Sequence, residues 1–320
     1  MNLFSPLARI RPRLALLAIT AAALSAARCA SAADFSEFRV IAYLPEYRAA
    51  GFETAQAQGL TDLIVFAAAA GDDGLIDMRG LQRFPWERAW QLKKETRARL
   101  ILCVGGWSRS KGFPAVAADA TKRKAFAASA VKICLEKRLD GVDLDWEHPK
   151  NAAEEEDYGK LLADMKTAFA PHGLMLSATV AGWQKLTDEA IASVDAIQLM
   201  SYDHGGKHST LEDAMKDVQK LLDRGVPASR LVLGVPFYGR GITDRDRATP
   251  WREIVEKQKP AAGVDEADGL YFNGPETIRK KTRYALEKQL QGVMAWELGQ
   301  DAPEPNSLLN VIETEVHKPR

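Results

Sequence analysis

The chain has 320 residues, 46% hydrophobic and 27% charged, with 43 basic and 43 acidic side chains. That composition fits a globular protein of one large or two small domains, and no basic excess points to nucleic acid.

Residues 1–32 place Arg9, Arg11 and Arg13 ahead of an apolar stretch, 14–27, and the small-residue site Ala30-Ser31-Ala32. This pattern predicts a secretory signal peptide, with the remaining chain at 33–320 exported to the periplasm or secreted. The stretch is short for a stable membrane span, and Arg28 is a poor residue to precede a lipid-bearing Cys29. Cleavage removes four arginines and no acid, leaving 39 basic against 43 acidic residues and a net charge near −4.

Eight apolar, β-branched-rich runs follow, at 39–45, 60–68, 98–107, 139–147, 173–182, 194–203, 230–239 and 291–298, with helical patterns between them. Continuous apolar strands alternating with helices predict a parallel sheet covered on its outside. Eight such units in roughly 290 residues fit an α/β fold of one domain, a (β/α)8 TIM barrel, better than an open sheet. No GxGxxG or P-loop follows the first run, which removes the usual nucleotide sites. In such barrels active sites form at the C-terminal strand ends.

The helix predicted at 121–137 spreads Ala125, Phe126, Ala128, Val131, Ile133 and Leu135 around an amphipathic surface, and 275–289 opens with proline and stops before Gly292. Cys103 is predicted on an inward strand position and Cys134 on the following helix, so both are expected as free thiols on opposite sides of the strand wall. The acidic run Glu154-Glu155-Glu156-Asp157 reads as a helix first turn, where acids complement the dipole, rather than as a metal site.

The fourth run carries the most chemistry. Asp143, Asp145 and Glu147 fall at i, i+2 and i+4, which on a strand puts three carboxylates on one face at steps of roughly 6–7 Å. Val142, Leu144 and Trp146 make the other face apolar. Like charges so close predict that at least one carboxyl stays protonated near neutrality, the condition for a general acid. Pro149 stops the strand, leaving Glu147 at its C-terminal tip, and alternation predicts that His148 points away from Glu147.

Asp140, Asp143, Asp145 and Glu147 together resemble the DxxDxDxE signature of family 18 glycoside hydrolases, the chitinase family. Ordered matches extend over residues 39–301: Cys103-Val104-Gly105-Gly106-Trp107 resembles the family's SxGG strand, Met200-Ser201-Tyr202-Asp203 its MxYD strand, Gly234 to Arg240 its seventh strand and Gly292 to Glu297 its eighth. The resemblance implies hydrolysis of β-1,4-linked N-acetylglucosamine chains with the substrate's own acetamido group as nucleophile, an exception to the two-carboxylate scheme. Glu147 would be the acid, Asp145 the residue orienting the acetamido group, Asp143 a deeper aspartate sharing a proton with Asp145, and Tyr202 a donor to the acetamido oxygen. Trp296 would floor the subsite of the cleaved sugar. Asp203, Met200, Trp107, Tyr43, Phe66, Tyr238 and Arg240 would line the substrate site, with Gly105 and Gly106 permitting close backbone approach beneath the acid.

Two positions depart from the pattern. Cys103 stands for the family serine, a weaker donor to Asp143, and His148 follows the acid where an aromatic residue is usual. About fifty residues separate strands seven and eight, too few for the full α+β insertion of many relatives, which implies a shallow, open groove. No cofactor or metal is expected, since His148, His172, His204, His208 and His317 form no HxH or HExxH pair. The partner implied is an N-acetylglucosamine-containing oligo- or polysaccharide, bound by a monomer. Chitin and its oligomers are the first reading. An endo-β-N-acetylglucosaminidase acting on glycan or peptidoglycan-derived chains, and a non-catalytic chitin-binding lectin, are the alternatives.

Overall fold

The computed structural model describes residues 38–319 and, apart from them, Met1. The predicted signal peptide therefore lies outside the described residues. Eight strands form the centre: β1 (Arg39–Pro45), β2 (Asp62–Ala70), β3 (Arg99–Gly105), β4 (Gly141–Asp145), β5 (Met175–Ala181), β6 (Ala196–Met200), β7 (Leu231–Pro236) and β8 (Gly292–Trp296). Each pairs in parallel with its sequence neighbours. The sheet closes where β1 pairs with β8 at Arg39 and Gly292 and with β2 at Ile41 and Asp62. The predicted (β/α)8 barrel is the fold.

Alternation along the strands sorts the core into two clusters. Val40, Ala42, Leu44, Val142 and Leu144 face outward and join Phe126, Leu161 and Leu162 of the helices. Ile41, Tyr43, Ile64, Phe66, Ile101, Cys103 and Met294 face into the barrel. Each large side chain buried in this way is worth roughly 1.5–3 kcal/mol relative to exposure. Cys103 and Cys134 are buried free thiols in the inner and outer clusters respectively, on opposite sides of the strand wall. At the N-terminal end, buried Asp62 is gripped by Arg39 and Arg99, each at 2.7 Å. Burial pushes its pKa up, but the two guanidinium groups outweigh that and hold it low.

Among the helices, α1 spans Trp86–Thr96, α2 Phe113–Ala118 and α3 Ala120–Lys137. Asp119 caps α3 by accepting from the backbone N–H groups of Thr121 and Lys122. Its buried stripe is Phe126, Ala127, Ala130 and Cys134. Ala128 and Leu135 are exposed, so the apolar surface predicted there is narrower than the sequence suggested: the residues at 126, 130 and 134 recur every four positions and define one face. Helix α4 (Ala152–Phe169) starts at Asn151, whose side chain accepts from Glu154 N, with Glu154 and Glu155 in the first turn as predicted. Among the described residues no group of His, Cys, Asp and Glu is arranged to hold a metal ion, and no helix is long and apolar enough to cross a membrane.

The segment between β7 and β8 is short but structured. Strands Tyr238–Gly241, Ala248–Pro250, Glu266–Ala267 and Leu270–Tyr271 form a small antiparallel sheet, joined by the helix Trp251–Gln258. This is a miniature α+β excursion at the rim.

Candidate active site

A cleft of about 660 Å³ opens at the C-terminal strand ends, lined among others by Asp145, Glu147, Tyr202, Trp296, Trp107 and His148. Asp143 lies beneath it, fully buried inside the barrel. Its Oδ1 accepts from Ser177 Oγ at 2.6 Å and Gln198 Nε2 at 3.1 Å, and its Oδ2 from the hydroxyls of Tyr43 and Thr179, both at 2.9 Å. Burial raises the pKa of Asp143 and these four hydrogen bonds oppose the rise. Tyr43 is pushed well above the ordinary tyrosine value, by burial first and then by Asp143, and remains a neutral donor.

Asp145 ends β4 and is 3% exposed. Its Oδ1 has no hydrogen-bond partner in the protein. Burial, then the charge of Glu147, then that of Asp143 push its pKa well up. The resemblance implied a proton shared by Asp143 and Asp145. Both Asp143 oxygens are doubly occupied by donors, while the charges of Glu147 and of Asp143 both act on Asp145.

Glu147 sits two residues past the strand, its backbone N–H donating to Ser110 Oγ at 2.9 Å. That hydroxyl contacts the carbonyl oxygens of Gly106 and Asp145, each at 3.0 Å, tying the loop after β3 to the tip of β4. Partial burial, followed by the charge of Asp203, raises the pKa of Glu147 to about 7. Gly105 and Gly106 have φ of +112° and +95°, and a Cβ there would stand 2.1 Å from the Asp145 carbonyl oxygen and 2.4 Å from Phe66. Both the left-handed backbone and the close approach require glycine.

Tyr202 projects into the cleft from the end of β6, and its hydroxyl lies 4.0 Å from the sulfur of Met294. Beside it Asp203, at φ 64°, receives Tyr238 OH at 2.5 Å and Arg240 through Nε at 2.6 Å and Nη2 at 2.9 Å. Burial alone would raise Asp203, but hydrogen bonds from His208, Tyr238 and Arg240 hold it at about 2. Trp296 is flanked by Tyr43 at 5.5 Å and by Phe66 edge-on at 4.7 Å between ring centroids. Met200 lines the cleft, and Trp107 stands 81% exposed on its wall. Every residue predicted for the site thus lies at this barrel mouth or directly beneath it.

Asp140, first residue of the motif and given no role above, is a structural clamp: both its oxygens take Lys93 Nζ at 2.7 Å and one also accepts from Leu100 N. His148 does not point away from Glu147. Strand β4 ends at Asp145, so alternation no longer governs residue 148, and His148 Nε2 comes within 3.6 Å of Glu147 Oε2. Cys103 is the register partner of Asp143, with its thiol driven well up by burial and then by the charges of Asp143, Asp145 and Glu147. Ser177, Thr179 and Gln198 escaped sequence reasoning, although Ser177 and Thr179 alternate on a strand and that period could have placed them inside the barrel. Exposed Tyr47 and Trp183, with Arg245 and Asp246 of the rim excursion, also border the cleft.

A profile of "Glycosyl hydrolases family 18" matches residues 39–301. "Chitinase 1" of Aphanocladium album is 30% identical over 70% of this chain and 67% of its own length. "Endochitinase 1" of Metarhizium robertsii is 30% identical over 73% of this chain and 69% of its own. Among solved structures, a chitinase of this family from the chitin utilization locus of Flavobacterium johnsoniae superposes with a TM-score of 0.78 at 25% identity, covering 88% of this chain and 94% of that one. With the barrel, the acidic strand tip and a match across most of the sequence in agreement, the chain belongs to glycosyl hydrolase family 18.

Proposed function

We propose that this protein is an exported chitinase that cleaves β-1,4 bonds in N-acetylglucosamine polymers by substrate-assisted, retaining hydrolysis, with residues 33–320 as its catalytic domain. The observation that carries the reading is the pair at the tip of β4: Glu147, with its pKa raised to about 7, above Asp145, whose buried Oδ1 lacks a partner. A carboxyl that is still protonated near neutrality can give its proton to the departing glycosidic oxygen. A second carboxylate with an unfilled acceptor suits an acetamido N–H. Held there, the acetamido carbonyl oxygen attacks the anomeric carbon as the glycosidic bond breaks, forming an oxazolinium ion. Tyr202, which lines the cleft, donates to that oxygen. Glu147, now ionised, takes a proton from the water that opens the ring, which restores the acid and returns the sugar with retained configuration.

Trp296 offers an indole floor to the apolar face of the sugar bound there. Trp107, exposed on the wall, suits the sugar beyond the scissile bond. The low rim between β7 and β8 favours attack within a chain over threading from its end. The names of the fungal relatives and of the Flavobacterium chitinase support chitin as the polymer. The test is product analysis on defined oligosaccharides with and without N-acetyl groups. Acetylated oligomers are cleaved with retention and de-acetylated ones are not; equal hydrolysis of both would overturn the mechanism.

A further inference from the structure

His148 occupies a place beside the acid that the reaction above leaves without a task. We propose that His148 is a positioning residue for Glu147, accepting the carboxyl proton of the acid on its Nε2 lone pair and so holding the acid neutral and aimed while the cleft awaits substrate. The proposal rests on the reading of Glu147 as general acid.

The geometry begins at the far side of the ring. His148 Nδ1 lies 2.9 Å from Gln184 Oε1; with that oxygen as the acceptor, Nδ1 carries the hydrogen and Nε2 the lone pair. Gln184 is 2% exposed and its own backbone carbonyl takes Arg224 Nη1 at 2.8 Å, which fixes the residue that sets this tautomer. Trp183 packs edge-on against the ring at 4.7 Å and limits its rotation. The free Nε2 then faces Glu147 Oε2 at 3.6 Å, just beyond hydrogen-bond length. An aromatic hydrocarbon ring in this position fills the same space and accepts nothing.

The charges around the pair favour the neutral form. Burial and then the charge of Asp203 at the end of β6 oppose the ionisation of Glu147. Cys103 beneath them stays a thiol, and Tyr202 a phenol. Arg240 is engaged by Asp203, and Arg109 by Glu46. Across the cleft the rim excursion presents Arg245 and Asp246, opposite in sign. The residues packed on the imidazole itself, Trp183 and Gln184, carry no charge. An acceptor nitrogen on Glu147 thus adds to the forces that already keep its proton in place.

Two measurements test this. In the protein labelled with 15N-histidine, the His148 signal, assigned by its loss in His148→Phe, should report the Nδ1–H tautomer of the neutral ring; an Nε2–H tautomer would overturn the proposal. The pH profile of kcat/KM on an N-acetylglucosamine oligomer is the second. In His148→Phe its basic limb should move down by about one unit, a loss of roughly tenfold on the alkaline side with little change on the acid side. His148→Gln, which keeps an acceptor, should restore most of the shift. A limb that stays put or moves upward in His148→Phe leaves the ring as packing only and sinks the idea. If wild type cleaves no oligomer, the general-acid reading fails instead, while the tautomer still decides what His148 offers to Glu147.

Discussion

At the mouth of the barrel the charge of Glu147 opposes the ionisation of Asp145, second only to burial and ahead of Asp143. Asp143, one position deeper along the same strand face, is instead surrounded by donors. One row of carboxylates therefore divides into a base layer solvated by the protein and a proton-holding tip that faces the cleft.

Replacing the acid tests the tip directly. Glu147→Gln keeps shape and hydrogen-bonding atoms but has no proton to give, so turnover of an N-acetylglucosamine oligomer should fall by roughly 10²–10⁴-fold. Binding measured by calorimetry should remain within a few-fold of wild type. Retained turnover would mean that another group protonates the leaving oxygen.

The pH profile follows from the same carboxyl. Its raised pKa keeps the active, protonated form dominant below about 7, so kcat/KM should fall as pH rises through 7. Burial is the first cause of the rise and the charge of Asp203 the second, so Asp203→Asn should move that limb to lower pH. A profile that is flat from pH 6 to 9 would contradict both statements.

Lys281 provides a stability test away from the chemistry. It is buried in the helix Pro275–Glu287, its Nζ donating to Ser209 O at 2.9 Å and contacting Ser209 Oγ at 2.7 Å. Burial lowers its pKa to about 7. A lysine whose folded value lies below its unfolded one contributes stability above the unfolded value that is lost as pH falls through about 7. Denaturation midpoints should accordingly rise with pH between 7 and 10, and Lys281→Met should flatten that slope by up to a few kcal/mol. An unchanged slope would show that the ammonium is not what titrates.

The two glycines under the acid should tolerate nothing larger. Gly105→Ala places a Cβ 2.1 Å from the Asp145 carbonyl oxygen at a φ of +112°. Thermal unfolding should report a loss of more than about 1 kcal/mol, and activity should drop with it because Asp145 must shift.

Exposed Trp107 should behave in the opposite way. At 81% exposure it supports little of the core, so Trp107→Ala should leave the melting temperature within a degree or so while raising KM on longer oligomers, consistent with roughly 1–3 kcal/mol for losing an aromatic–sugar contact of this size. A large fall in Tm with unchanged KM would make it a packing residue.

The sequence made the barrel legible because its strands are unusually apolar and evenly spaced, and it exposed the acids because three carboxylates on one face have no structural excuse. It was less informative where an element ends. His148 was misplaced because strand periodicity was carried three residues past Asp145, where the backbone had already left the sheet. Ser177, Thr179 and Gln198 stayed hidden because each sits singly among aliphatic neighbours, and only the closed barrel shows that they converge on Asp143. The strands of the rim excursion left no periodic trace because they are only two to four residues long.

The hydrogen-bonded layer around Asp143 also limits how this enzyme can be hardened against heat. Filling a barrel with aliphatic side chains is the usual route to a tighter interior, yet here Ser177, Thr179, Gln198 and Tyr43 each aim a polar atom at one buried carboxylate. Exchanging any of them for a hydrocarbon strands that charge in a dry environment, so thermostable variants must be sought in the helices and at the N-terminal floor, leaving the polar storey of the barrel as it is.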